Sequence, residues 1–415
     1  MTIGIVGLGY VGLPLAVAFA EAGHDVIGVD VDARKIAALK EGTSHIEDVP
    51  SERVQAVASS FQPTNRFAAL ASADSILICV PTPLSVNREP ELGPLVDSAT
   101  SLAGVLQNGQ LVVLESTTYP GTTRERLLPL LEESGLAAGR DFNLAYSPER
   151  VDPGREDRTL RNTPKVVGGL TDACCKRAEA LYSTICDEVV TVSTPEVAEL
   201  SKLLENIYRS VNIALVNELA MLADRMGIDI WEVIDAAATK PYGFTRFDPG
   251  PGMGGHCLPV DPFYLAWKAR EYDFVPEFVE LAGKLNQRMP DFCVTRIVRA
   301  LNEAGKAVRG ARIAILGVSY KPGVGDIRES PALKIMEQLI DQGAELTYHD
   351  PHVPEVAQFD MRSEELDAAL ADVDLVVIVT AHPSVDHEAV AREAPLVVDL
   401  RGVTRGVASA SVVRL

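Results

Sequence analysis

A chain of 415 residues has room for two or three domains of ordinary size, and a hydrophobic fraction of 47% supplies several packed cores. The formal net charge of −20 excludes a nucleic-acid partner, which demands a basic footprint on phosphates, but leaves room for an anionic small molecule held by a few local Lys and Arg residues. The six cysteines, Cys79, Cys174, Cys175, Cys186, Cys257 and Cys293, form no C-x-x-C pair, which fits a reduced, cytoplasmic setting without disulfide staples.

Residues 3–6 read as a strand, 14–22 as a helix closed by Gly23, 26–29 as the next strand, and 75–80 and 111–114 as further strands in the same style. This β-α-β rhythm predicts a parallel sheet covered on both faces. The uncharged run 2–20 has the look of a signal peptide or membrane span, but it lacks a basic leader and its glycines fall at the spacing of a nucleotide-binding turn. No other uncharged run approaches span length, so no membrane partner is expected. Residues 195–227 are helical in period, with Leu200, Leu203, Leu204, Ile207, Val211, Leu215, Leu219 and Leu222 on one broad stripe between Pro195 and Gly227. Such a helix, about 45 Å long, can bridge two domains, and its wide apolar face points to subunit packing. The first segment then returns in degenerate form: IAILGVSY (313–320) echoes IGIVGLGY (3–10), ELTYHD (345–350) echoes DVIGVD (25–30), and DLVVIVT (374–380) echoes DSILICV (74–80). A second α/β domain therefore runs from about residue 305. Its glycine pattern is lost after Gly317, so it is not expected to hold a dinucleotide in the same way.

Gly7-Leu8-Gly9-Tyr10-Val11-Gly12 sits between a strand and a helix, with Asp30 ending the following strand. Gly7 permits a tight turn, Gly9 lets the backbone approach a pyrophosphate, and Gly12 lets helix and strand pack closely. The phosphates would rest on the free N–H groups of the helix N-terminus. Asp30 would accept from the adenosine ribose and repel a 2′-phosphate, which favours NAD, a preference that Arg34 and Lys35 soften. In Gly252-Met253-Gly254-Gly255-His256-Cys257-Leu258-Pro259-Val260-Asp261 the glycines leave a thiol reachable and offer N–H donors to an oxyanion. A free cysteine is more commonly a small buried residue, but glycines on one side and Pro259 and Asp261 on the other argue against a core position. Lys202 and Asn206, at i and i+4, share a helix face with Glu205 and Arg209 nearby; alone this is an ordinary polar stripe. Pro81-Thr82-Pro83, Glu115-Ser116-Thr117-Thr118 and Ser147-Pro148-Glu149-Arg150 follow strands of the first domain, where open α/β sheets bind ligands. Lys321 and Arg328 hold the equivalent edge of the second and are suited to phosphate, with surface salt bridges as the plain alternative.

The segments GLGYVGLPLA, STTYPGTT, YSPER, KLLENIYRSVNIALVNE, GPGMGGHCLPVDP and GDIRESPA, in this order, resemble the UDP-glucose/GDP-mannose dehydrogenase family over nearly the whole chain. The resemblance implies an α/β fold with two Rossmann-like doubly wound parallel-sheet domains, 1–194 and 305–415, joined by a central helical domain, 195–304, with the long connecting helix. It implies NAD in the first domain, a UDP-sugar as substrate, no metal, and a homodimer or larger assembly through the central helix. Carried onto matching positions, Cys257 is the nucleophile, Lys202 and Asn206 steady charge on the substrate oxygen, and Asp261, Thr117 and Glu149 handle water and protons. The implied cofactor contacts are Gly7, Gly9, Tyr10, Val11, Gly12, Asp30, Lys35, Thr82, Thr117 and Arg328. The implied substrate contacts are Glu149, Arg150, Lys202, Asn206, Arg209, Lys240, Gly254, Lys321 and Arg401. Enzymes of the family that act on UDP-glucose usually carry a second acid after SPE and a Lys before the motif Asp; Pro153 and Val260 hold those places here. The pattern SPER-x-DPG is similar to the branch acting on UDP-N-acetylhexosamines. The expected substrate is UDP-N-acetylglucosamine, with UDP-N-acetylmannosamine and UDP-glucose as alternatives.

The implied chemistry is a two-step oxidation of the sugar C6 alcohol to a carboxylate, with Cys257 holding the aldehyde as a thiohemiacetal and the acid as a thioester. A one-step alcohol dehydrogenase would need no nucleophile, and a non-catalytic NAD-binding regulator would need none of these side chains. Two, one or no NADH per substrate separates the three readings.

Overall fold

The computed structural model of the chain describes residues 1–85, 89–151, 157–255, 260–409 and 411–415. Pro153, Gly154, His256 and Cys257 therefore lie outside the described residues. Two compact units form, one from residues 1–205 with 263–275, the other from 206–262 with 276–415.

In the first unit, β1 (Thr2–Val6), β2 (Asp25–Val29), β3 (Phe61–Thr64), β4 (Ser75–Ile78), β5 (Leu111–Leu114), β6 (Asn143–Tyr146), β7 (Lys165–Gly169) and β8 (Val189–Val192) make one sheet, in the order β3-β2-β1-β4-β5-β6-β7-β8. Every pairing is parallel except β6 with β7. Parallel neighbours need crossovers, and α1 (Gly12–Glu21), α2 (Ala33–Lys40), α3 (Ser51–Ala56), α4 (Gly93–Ala103), α5 (Leu128–Glu132) and α6 (Asp172–Tyr182) lie within them. Side chains alternate between two cores: Leu77 joins Leu13, Val17 and Phe19, while Ile76 and Ile78 join Leu95 and Leu127. With both faces buried the strands read as unbroken apolar runs, such as LVVL. Strand order reverses between β1 and β4, which opens a crevice at their carboxyl ends. α1 starts at Gly12, two residues before the sequence-based start, because Pro14 is tolerated in a first helical turn.

α7 (Pro195–Met226) is unbroken for 32 residues; 195–205 belong to the first unit and 206–226 to the second. Its polar residues Glu199, Lys202, Asn206, Ser210 and Asn217 are buried, while Leu200, Leu204, Leu215, Leu219 and Leu222 are exposed. Of the apolar stripe marked in the sequence, Leu203 is buried. The inward contacts come instead from small residues such as Ala214, Ala220 and Ala223.

The second unit holds α8 (Ile230–Ala238), the start of α9 (Asp261–Ala269), α10 (Glu277–Glu303), β9 (Arg312–Leu316), α11 (Pro331–Asp341), β10 (Glu345–His349), the short β11 (Glu355–Val356) and β12 (Met361–Arg362), α12 (Leu366–Ala369), β13 (Leu375–Ile378), α13 (His387–Glu393), β14 (Val397–Asp399) and β15 (Val412–Arg414). Its main sheet, β10-β9-β13-β14-β15, is parallel throughout. One face shares a core with the helices, where Ala220, Trp231 and Ile297 meet Ile313, Ile315 and Leu375. The other face packs Leu316 and Ile378 with Val390. Among the described residues no helix is long and apolar enough to cross a membrane.

The sequence repeat is a repeat of backbone. β10-β9-β13 corresponds to β2-β1-β4. Gly7 (φ +91°) and Gly317 (φ +78°) both turn left-handed after the first strand. Their N–H groups donate to Val29 O at 2.7 Å and His349 O at 2.9 Å. A Cβ would stand 2.7 Å from Cys79 O at the first and 2.1 Å from Thr380 O at the second, so only glycine fits either turn.

Candidate active site

The turn after β1 has the shape of a dinucleotide cradle. A Cβ at Gly12 would lie 1.8 Å from Gly7 O, so glycine there lets α1 close onto the turn, whereas a Cβ at Gly9 would meet nothing within 4 Å. No side chain caps α1, whose N-cap is Val11; Leu13 N–H turns back to Gly9 O at 3.1 Å, and Tyr10 beside the turn is exposed. A helix start without a side-chain cap suits a pyrophosphate. Asp30, 8% exposed, accepts N–H from Leu8 and Asp32, both at 2.9 Å, and lies 3.6 Å from Lys35 Nζ. A carboxylate offers about four acceptor sites, so Asp30 retains capacity for ribose hydroxyls. Arg34 pairs with Asp32 at 2.9 Å and holds that carboxyl down at about 2. Both cations after β2 thus have carboxylates of their own, which keeps this edge unattractive to a 2′-phosphate.

The second unit closes the same position. Asp350, the counterpart of Asp30, accepts N–H from Val318 and Ser319 on Oδ2 and from His352 and Val353 on Oδ1. His382 adds Nε2 at 3.1 Å. Gly323 N–H donates to His382 Nδ1 at 3.3 Å, which leaves the ring proton on Nε2, facing Asp350 and Ser319. Ser319 and Pro322 stand where Gly9 and Gly12 stand in the first copy. The expectation that this copy has lost the dinucleotide cradle thus has a physical cause.

Along the binding edge of the first unit, Thr82 Oγ1 donates to Thr117 O at 2.7 Å and Ser116 Oγ to Val80 O at 2.6 Å, which joins the loops after β4 and β5. Tyr264 hydroxyl donates to Thr82 O at 2.9 Å. Glu149, after β6, accepts N–H from Arg150 at 2.7 Å and Val151 at 2.6 Å on Oε1. Arg150 is turned to Pro164 O at 2.5 Å and Glu205 at 2.7 Å. Lys202 is only 9% exposed, yet no hydrogen bond or ion pair links its ammonium to another described residue. Glu199, just before it on α7, accepts N–H from Gly121 at 2.6 Å and from Thr123 at 2.9 Å, with the Thr123 hydroxyl at 2.7 Å. Burial pushes its carboxyl up to about 7, against the pull of these donors.

In the second unit, Asn206 Nδ2 donates to Asp261 Oδ2 at 2.5 Å, and both residues are buried. The glycine run before Cys257 is held from two sides. Gly250 N–H donates to Asn217 Oδ1 at 2.9 Å, and Asn217 donates in turn to Asn286 at 2.9 Å. A Cβ at Gly254 would stand 2.7 Å from Tyr320 Cβ, and Gly255 N–H donates to Arg328 O at 2.8 Å. Gly254 is thereby brought against the segment that carries Lys321 and Arg328. Lys321 Nζ stands 5.8 Å from the Tyr320 ring centroid, and Arg328 forks onto Asp326 at 2.6–3.0 Å. Arg401 donates to Val379 O at 2.7 Å, and its Nη1 would be 2.7 Å from a Cβ on Gly250. Arg209 and Lys240 are exposed, Lys240 at 5.2 Å from the Tyr242 ring.

Residues 1–186 match the NAD binding domain of the UDP-glucose/GDP-mannose dehydrogenase family, 196–288 its central domain and 314–406 its UDP binding domain. The chain belongs to this family. It is 37% identical over 414 residues to the UDP-N-acetyl-D-mannosamine dehydrogenase of Pyrococcus horikoshii, covering 98% of this chain and 96% of that one. It is also 37% identical over 359 residues to the UDP-N-acetyl-D-glucosamine 6-dehydrogenase of Pseudomonas aeruginosa, covering 85% and 83%. A solved structure of the UDP-D-ManNAc dehydrogenase from Pyrococcus horikoshii superposes with a TM-score of 0.90 at 35% identity, covering 100% of this chain and 98% of the other. The protein is thus an NAD-dependent nucleotide-sugar dehydrogenase, and the expectation of NAD from the first glycine motif holds.

Sequence reasoning passed over several polar residues of this dehydrogenase. Asn286 sits on α10 without a motif around it, although Asn217 lies in one of the quoted segments. Glu115 was marked only as part of a loop, and its buried partner Lys165, 2.8 Å away, carried no signal at all. Glu199 was hidden among the ordinary charges of a helical stretch.

Proposed function

We propose that the protein oxidises the C6 alcohol of a UDP-N-acetylhexosamine to the carboxylate in two steps, through a thioester on Cys257. NAD, when bound, supplies a hydride acceptor for each step, so two are consumed per sugar. The supporting observation is Lys202, a residue only 9% exposed whose ammonium makes no hydrogen bond or ion pair to another described residue. An ammonium left open in this way can pair with a substrate oxygen as it gains negative charge. Cys257 adds to the aldehyde carbon, which keeps the intermediate covalently attached until water releases the acid. Asn206 orients Asp261 by its amide donor, and Asp261, Thr117 and Glu149 manage the proton and the hydrolytic water. Lys321, Arg328 and Arg401 serve the diphosphate and sugar.

Between the C2 epimers we favour UDP-N-acetylmannosamine, because the Pyrococcus horikoshii relative matches nearly end to end. UDP-N-acetylglucosamine is the second reading, supported by SPER-x-DPG and by the Pseudomonas aeruginosa relative. Steady-state kinetics on both sugars and UDP-glucose, with NADH counted per sugar consumed, tests all of this. Two NADH and the highest kcat/KM on an acetylated sugar are expected; one NADH, or full acid formation by Cys257→Ala, refutes the thioester route.

The exposed Leu200, Leu204, Leu215, Leu219 and Leu222 of α7 support a homodimer through this helix. Sedimentation of Leu215→Glu/Leu219→Glu should then show monomer where the parent shows dimer. The described cysteines are free thiols, in keeping with a reducing compartment.

A further inference from the structure

Behind Glu149 lies a buried ionic cluster that the reaction above does not use. Lys165 opens β7 and Glu115 directly follows β5; their side chains are 3% and 0% exposed. Lys165 Nζ is 2.8 Å from Glu115 Oε2, 3.8 Å from Glu149 Oε2 and 5.2 Å from the Tyr182 ring centroid. Tyr182 donates its hydroxyl to the other oxygen of Glu115. One ammonium therefore serves two carboxylates, one sealed in the sheet and one at its open edge. Burial works against the charge on Lys165, but Glu115 and Glu149 outweigh it and hold the group protonated. The remaining titratable groups around the cluster are neutral or turned away. Burial raises the Cys79 thiol and lifts Cys186 to about 11, and the Arg150 guanidinium is engaged with Pro164 O and Glu205. Among the described residues, Lys165 is the one cation within ion-pair distance of Glu149.

An apolar pair would fill this space at lower desolvation cost, since buried ion pairs are weak stabilisers compared with packed hydrophobes. What the cluster provides is control over Glu149. The backbone N–H groups of Arg150 and Val151 fix one of its oxygens, and the ammonium lies beside the other.

We propose that Lys165 is a positioning residue for Glu149, orienting its carboxylate as an acceptor, with Glu115 and Tyr182 anchoring the ammonium from behind. This rests on Glu149 taking part in proton or water handling. Glu149 then accepts a hydrogen bond from water or hydroxyl during turnover.

The test is the kcat–pH profile of three variants. Glu149→Gln addresses the underlying reading: if its kcat and acid limb match wild type, Glu149 has no such task and that reading fails first. With Glu149 needed, Lys165→Met/Glu115→Gln removes the ammonium together with its buried counter-charge. The acid limb should move up, because the opposite charge beside the carboxylate is lost. An unmoved limb in the folded double variant overturns the proposal. Glu115→Gln alone leaves the whole ammonium to Glu149, keeps its amide oxygen as the acceptor for Lys165 and turns its NH2 to the Tyr182 oxygen, which can accept. Its acid limb should move down, and a limb that stays put or rises overturns the proposal even where the double variant does not fold.

Discussion

Gly9 and Gly12 stand three residues apart in the same turn, and the structure gives them different tasks that one pair of substitutions separates. In Gly12→Ala the new methyl carbon would be 1.8 Å from Gly7 O and 3.1 Å from Ile5 Cγ2. Neither is the end of a flexible side chain that swings clear, and relief requires a shift of more than an ångström between α1 and β1. Overpacking of this kind costs about 1–3 kcal/mol. In a unit of roughly two hundred residues that is a drop in Tm of about 2–12 °C. In Gly9→Ala the methyl meets nothing within 4 Å, so the fold should be untouched. The space it enters is where a pyrophosphate would approach, and NAD affinity should fall about tenfold or more, tenfold being 1.4 kcal/mol. Calorimetry without cofactor and fluorescence titration with NAD read the two effects independently. A Gly9→Ala variant that melts as low as Gly12→Ala, or that binds NAD like the parent, would refute the division of labour.

Three further substitutions probe other parts. Lys202→Met should lower kcat by about 100- to 1000-fold with little change in KM, the usual loss for an oxyanion donor; an unchanged kcat would remove Lys202 from the chemistry. Asp30→Ala should weaken NAD binding by about 1.5–3 kcal/mol and narrow the gap to NADP. It should also lower Tm, because Leu8 N–H loses its acceptor. Glu199 has a carboxyl raised to about 7 in the fold, so its protonated form favours folding below about 4.5 and that stabilisation is lost as pH rises through 7. Relative to Glu199→Gln, the parent should therefore lose Tm between pH 5 and about 7.5; a constant difference across that window would show the carboxyl is ionised throughout.

The first sheet and its cradle were legible because their signals are local. Gly7, Gly9 and Gly12 act within one turn, Asp30 ends the adjacent strand, and the repeat preserves the strand–turn spacing at Gly317. The orientation of α7 was legible only as the suggestion that its wide apolar face packs on another subunit; which residues turn inward was not. Periodicity separates a polar face from an apolar one, but it does not say which faces the core, and here Lys202, Asn206 and Asn217 are inside while Leu215 and Leu219 are outside. A buried pair such as Glu115 and Lys165, 50 residues apart, is set by strand order, and the departure of β7 from the parallel pattern beside β6 leaves no trace in composition. The loops after β5 and β6 were marked by their place at the carboxyl ends of strands, but the roles proposed for Thr117 and Glu149 came through resemblance, because by spacing alone both are ordinary loop residues.

The contrast between Asp30 and Asp350 bears on how the protein lasts, as well as on what it binds. Unit two completes its own hydrogen bonds at the second-strand carboxylate, using backbone donors and His382. Unit one leaves that position for a visitor to finish. Its resistance to unfolding is then borrowed from the dinucleotide pool, gaining about 2.7 kcal/mol at a hundredfold excess over Kd. A cell starved of the cofactor would hold a chain whose first unit opens more often and meets proteases sooner, so that the supply of dinucleotide governs how much of the enzyme survives as well as how fast it turns over.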